Sequence, residues 1–341
     1  MTPTSAAAPR TRSTLFHKDR FAATALYALK VAVLAAIYVA VARLGLKLDP
    51  VSRFATLVWP PTGVSLAALV LFGRNLWPGV FLGAAVVNVM TGAPLAVALG
   101  IAAGNTLEAV AGEYALRRIP GFRLGLDRRL DAFAMIAVAL LSALVSATIG
   151  VTSLSAAGLV PSGQLVNTWL AWWQGDVLGD LVVAPFLLTW ISAPWYRTTA
   201  VRAAEAAALG ALVLCASAFL LSANGADVTG LAAFRQPITL LPFLIWAALR
   251  FGTQGAAGAT LLVSAVAVWT TAQAQGPFMR PELHESLGVL QAFMSVVAVT
   301  FLVLGAVTAE RLRFERERKE LYHRERIARA YAEEMQKSRR E

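Results

Sequence analysis

The strongest constraint on this chain is that apolar runs long enough to cross a bilayer follow one another almost from end to end. A helix needs about 20 consecutive apolar residues to span the hydrocarbon layer. Runs of that kind lie at 26–46, 95–117, 131–153, 165–191, 203–222, 254–273 and 286–308. Shorter ones lie at 59–73, 77–91 and 237–250, each beside a glycine or proline break: Trp59-Pro60-Pro61-Thr62-Gly63, Trp77-Pro78-Gly79 and Phe251-Gly252. Backbone polar groups in lipid must be satisfied internally, so broken helices at membrane depth survive only where protein or an aqueous cavity covers them. The pattern predicts an all-α, polytopic integral membrane helical bundle of about ten spans, or eight if the short pairs are re-entrant.

Composition agrees. Hydrophobic residues make up 57% and charged ones 15% of the chain, where a soluble domain carries about 25% charged residues. A soluble enzyme, a disordered chain and a secreted disulfide scaffold are excluded. Cys215 is the only cysteine, so there is neither an intrachain disulfide nor a thiolate metal cluster. The net charge of +10 reads as topology and not as nucleic-acid binding, because Lys and Arg accumulate in cytoplasmic loops. With the N-terminus inside, thirteen basic residues face the cytoplasm ahead of residue 309 and five (Arg43, Lys47, Arg53, Arg235, Arg280) face outward. Lys30 snorkels from the first run. Both termini are therefore expected in the cytoplasm, with an even number of spans. Residues 1–24 read as a disordered cytoplasmic leader and 25–308 as the membrane-embedded domain.

From Ala309 the character changes. Residues 309–341 hold 11 Lys/Arg and 8 Asp/Glu with no Gly or Pro, so a helix can run straight out of the last span. Phe314, Leu321, Ala328 and Met335 recur every seven residues, with Tyr331 three after Ala328. Glu317 and Arg324 occupy the partner positions of that seam. Two readings stand: a solvated helix laced with i,i+4 ion pairs, or a signalling coiled coil that makes the receptor a homodimer. The pattern stops at Glu341 without a cap, which suggests that the chain was cut there or that a further domain normally follows.

Polar residues inside apolar runs are costly and need internal partners. Asn105 and Glu108 share a face three apart, and Asp176 and Asp180 share one four apart. Glu108 and Asp176 lie at similar depth from the outer ends of their runs, so the four are expected to meet. Asn88 ends the third run. Trp172 and Trp173, with Trp169, lie just outside Asp176; they fit an interfacial belt or the wall of a pocket. The candidate ligand-binding residues are thus Asp176, Asp180, Glu108, Asn105, Asn88, Trp172 and Trp173. The alternative is a structural polar knot, with Asn105, Gln174 and backbone groups fixing helix register. Glu113 has Arg117 as an expected ion-pair partner, and Glu205 reads as interfacial. No phosphate loop, nucleophile elbow or metal-spaced histidine pair occurs, so no catalytic residue, no metal ligand and no particular cofactor is indicated. Residues 69–89 and 247–266 both place Phe-Gly between an apolar run and a Gly/Ala-rich run, as a parallel repeat would.

Taken together, VWPPTGVSLAALVLFGRNLWPGVFLGAAVVN (58–88), GNTLEAVAGEYALRR (104–118), LSALVSATIGVTSL (141–154), WLAWWQGDVLGDLVVAPFLLTW (169–190) and LPFLIWAALRFGTQGAAGATLL (241–262) resemble the first family of bacterial membrane-associated sensor domains, the MASE type. The resemblance covers about 25–308, most of the chain. It implies an inner-membrane input module joined by a helix to a histidine kinase or diguanylate cyclase output domain, which this sequence does not contain. The expected function is therefore to pass a conformational signal through 309–341 to a cytoplasmic effector. A secondary transporter of a small solute or ion, and a membrane scaffold that binds another membrane protein, are the competing classes; the charged C-terminal helix argues against the transporter.

Overall fold

Because a lone apolar run can satisfy its backbone in lipid only as a helix, every such run that is described forms one. The computed structural model describes residues 12–48, 58–192, 199–221, 236–280 and 283–338. They form α1 (Arg12–Leu48), α2 (Pro60–Phe72), α3 (Trp77–Met90), α4 (Leu95–Arg118), α5 (Arg129–Ala156), α6 (Leu165–Leu178), α7 (Ala184–Ser192), α8 (Ala200–Leu221), α9 (Leu241–Ala272) and α10 (Leu283–Ser338). No strand occurs among the described residues. Among the described residues, seven segments are long and apolar enough to cross a bilayer. The protein is a multi-pass, all-α membrane bundle.

Contacts at the helix ends give the direction of each pass. The Tyr27 hydroxyl, at the start of the apolar run of α1, donates to the Asn75 carbonyl between α2 and α3 at 2.8 Å. Arg74 and Arg117 converge on Glu113 at the end of α4, and Arg129 at the start of α5 pairs with Glu310 of α10 at 2.8 Å. At the start of α8, Glu205 pairs with Arg250 at 2.5 Å. All of these lie at one end of the bundle, here the tail end, from which α10 emerges. Arg43, Lys47 and Arg280 belong to the opposite end. The two ends divide the described basic residues as the sequence count does; Arg10, Arg53, Arg197 and Arg235 lie outside the described residues.

The runs 237–250 and 254–273 fall in the continuous helical range of α9, yet they do not form one straight rod. Gly252 has φ 62° and ψ −144°, a left-handed conformation open to glycine. A Cβ on Gly255 would fall on the Ala247 carbonyl, whereas eight residues of straight helix would separate them by about 12 Å. The chain therefore reverses at Gly252, and α9 is a short arm, 241–251, folded against a long one, 253–272. With α2, α3 and this arm as short members beside the seven long segments, the described helical segments run in ten alternating directions. The Phe-Gly echo has a structural counterpart: Gly73 (φ 108°) and Gly252 each follow a phenylalanine and turn the chain at the tail end.

The shortness of α2 is explained by its place. It touches α1, α4, α7 and the turn that joins α6 to α7, and its residues from Pro61 to Val70 are buried apart from Val64. A helix apolar on all sides belongs in an interior, and here protein rather than lipid covers its freed end groups. Its first turn packs backbone against backbone: a Cβ on Gly63 would strike the Gly179 carbonyl, and one on Gly179 the Trp59 carbonyl.

The segment 1–24 departs from a disordered leader in part. Residues 1–11 lie outside the described residues, but α1 starts at Arg12, so the helix extends well ahead of the apolar run. The C-terminal segment is helical as far as Ser338, continuous with the last span. Its Arg311–Glu315 pair at 3.0 Å, Arg313–Glu317 at 3.4 Å and Arg329–Glu325 at 2.5 Å are the i,i+4 contacts of a solvated helix. Phe314, Leu321 and Tyr331 are exposed, while the Met335 side chain lies outside the described residues.

Candidate functional site

Four of the expected polar residues meet in the middle of the bundle. Glu108, Asp176 and Asp180 are each 1% exposed and Asn105 is 5% exposed. Asn105 and Glu108 come from one face of α4, Asp176 from α6, and Asp180 from a π-helical turn, Gly179–Val183, that joins α6 to α7. The turn has a local cause. Pro185 carries no N–H for the Leu181 carbonyl, and its ring would crowd that carbonyl in a regular helix. One widened turn relieves the clash, a geometry that recurs at functional sites.

Asn105 is engaged at both ends of its amide. Its Nδ2 donates to the Tyr38 hydroxyl at 2.7 Å, and its Oδ1 accepts from the Ser146 hydroxyl at 2.9 Å. The indole N–H of Trp172 reaches Ser146 Oγ at 3.1 Å, and that of Trp59 reaches the Tyr38 hydroxyl at 3.4 Å. This chain ties α1, α4, α5 and α6 together with the residue ahead of α2. These bonds do not include the acids, and Gln174 is exposed and takes no part in them.

The acids form a different half of the cluster. Thr62 donates to Asp176 Oδ1 at 2.9 Å. Both oxygens of Glu108, both of Asp180 and Oδ2 of Asp176 are buried with no hydrogen-bond partner among the described residues. Glu108 lies beside Asp176 and Ser146, and Asp180 beside Asp176 and Ser142. The Ser142 hydroxyl is already committed to the Val138 carbonyl at 2.7 Å. The arrangement offers unused acceptor capacity in a low-dielectric interior, where such capacity is costly to leave empty. No three of the described His, Cys, Asp or Glu side chains converge as metal ligands would.

The other candidates divide. Trp172 is buried and belongs to the hydrogen-bond chain. Trp173 is half-buried, donates to the Leu140 carbonyl at 3.0 Å and stacks on Trp169, ring centroids 6.2 Å apart; it packs at the edge of the bundle and is not joined to the acids. Asn88 Nδ2 bonds its own helix at Ala84, 2.9 Å away, and Thr91 caps the Asn88 carbonyl, so it secures the end of α3. Tyr38, Thr62 and Ser146 were not among the expected site residues. Hydroxyl residues are common in spans, and the Trp-Pro-Pro-Thr-Gly segment signalled a helix break without revealing that its threonine serves Asp176.

A second charged cluster lies at the tail end. Glu113, 1% exposed, takes both Arg117, its expected partner, and Arg74 at 2.7 Å. Arg74 and Arg118 also flank the Tyr114 ring. Asp131, fully buried, receives two bonds from Arg128, at 2.6 and 3.0 Å; this contact raises the Arg128 guanidinium further above its ordinary value. α10 leaves the bundle beside these groups. Glu310 accepts from the Arg129 side chain and from its backbone N–H at the start of α5, and Arg313 approaches Asp127 at 3.6 Å. On the other flank, Gly305 and Ala309 lie against the Gly252 reversal.

A family model, MASE1, matches residues 30–312. No curated protein and no solved structure matches the chain.

Proposed function

Because the chain belongs to the MASE1 family of membrane-associated sensor domains, we propose that it is the input half of a bacterial inner-membrane receptor, with both termini in the cytoplasm. A change at the acid cluster alters the packing of the last span. The continuous helix α10 then carries that change to a cytoplasmic output domain of kinase or cyclase type, in a homodimer. The observation that supports this reading best is the set of buried carboxylate oxygens on Glu108, Asp176 and Asp180 with no donors. A cationic or donor-bearing ligand is the kind of molecule that would favour one arrangement of these groups over another, and only such differential affinity shifts a two-state equilibrium.

The route from cluster to output helix is short. Asp180 sits in the π turn that leads into α7, and the Trp190 indole at the far end of α7 donates to the Gln254 carbonyl at 3.0 Å, just past the Gly252 reversal. That reversal packs on Gly305 and Ala309 of α10.

The test places Asp176→Asn and Glu108→Gln in the full receptor with its output domain. Each keeps side-chain shape and removes the charge, and each is expected to shift basal output or abolish its response at unchanged membrane expression. Wild-type output and response in both variants would remove the acid cluster from the mechanism.

A further inference from the structure

Outside the acid cluster, the structure carries a groove where α10 leaves the bundle. It has a volume of about 330 Å³ and is lined by Arg129 of α5 and by Val307, Glu310, Arg311, Phe314, Glu315 and Arg318 of α10. We propose that this groove binds the headgroup of an anionic phospholipid in the leaflet at the tail end, and that the bound lipid sets the angle at which α10 departs.

Along α10 the groove starts from apolar surface: Val307, 40% exposed, lies at the end of the last apolar run. Arg129 and Arg311 come next, 65% and 80% exposed; Phe314, 54% exposed, lies beyond them, and Arg318 closes the far end. From Val307 to Arg318 the helix rises about 16 Å, which spans the headgroup layer of about 5–8 Å and reaches past it. Three arginines against two glutamates leave one net positive charge. Glu310 pairs with Arg129 and Glu315 with Arg311, so each of these guanidiniums is oriented and still exposed. A phosphate between Arg129 and Arg311 would bridge α5 to α10 by charge-assisted hydrogen bonds.

This site is separate from the acid cluster, so either can fail without the other. The test uses the full chain reconstituted in phosphatidylcholine nanodiscs doped with phosphatidylglycerol, with retained lipid read by native mass spectrometry. Wild type is expected to retain phosphatidylglycerol selectively. Arg129→Gln combined with Arg318→Gln should weaken retention by about thirtyfold, roughly fivefold per arginine. Glu310→Gln breaks the same ion pair as Arg129→Gln but leaves the arginine unneutralised, so it should strengthen retention. Arg123→Gln, at the tail end but outside the groove, should leave it unchanged. Three results would overturn the proposal. Weakened retention in Glu310→Gln would make the pair merely structural, an equal loss in Arg123→Gln would make the attraction diffuse, and displacement by inorganic phosphate would make it a free-anion site.

Discussion

At the scale of single residues, the cluster joins a connected hydrogen-bond chain to a set of acids with unpartnered oxygens. Tyr38 anchors the connected half, since its hydroxyl accepts from both Asn105 and Trp59. Tyr38→Phe leaves the buried Asn105 amide without its acceptor and should cost about 1–3 kcal/mol, measured as a lowered unfolding midpoint of the reconstituted protein; an unchanged midpoint would show that the hydrogen-bond chain carries no stability. Glu108, Asn105, Asp176 and Asp180 were legible in the sequence because a carboxylate or amide in an apolar run is conspicuous. Tyr38, Thr62 and Ser146 were not, because hydroxyl side chains in spans usually back-bond to their own helix, as those of Ser142 and Thr106 do here. Asn88 looked like a member by type alone, yet its amide turns back to Ala84.

At the scale of elements, the apolar runs located the helices well, and the breaks located the turns. Glycine marked both reversals, at Gly73 and Gly252, since it adopts positive φ without the Cβ penalty. What the runs did not reveal is the role of the short members. α2 is short because it is central and covered by protein, which only tertiary packing shows. The π turn was also hidden, although Pro185 inside the sixth run was its physical cause. Gly252→Ala adds a Cβ in a left-handed conformation, 3.3 Å from that of Ala309. It should destabilise the hairpin by about 1–2 kcal/mol, read as faster amide exchange over 241–256. Protection equal to wild type there would show that the reversal tolerates a side chain.

At the scale of the molecule, both described helix ends that flank the bundle, the start of α1 and the extension of α10, lie at the end where the arginines gather. In a Cys215→Ser background, a cysteine at Arg280 is expected to react with a membrane-impermeant maleimide in intact cells, and one at Arg123 only after lysis. The reverse pattern would invert the topology. The alternation of passes was readable from basic residues because charge is sorted between the two faces of a membrane. From Arg316 to Tyr331, each residue of α10 with a described side chain is exposed, and the helix remains unbroken to Ser338. This free shaft is about 35 Å long beyond Glu315, so a tilt of about 10° at its base would sweep the tip through about 6 Å. A repacking of a fraction of an ångström around Glu310 is thereby geared up into a displacement the size of an amino-acid side chain.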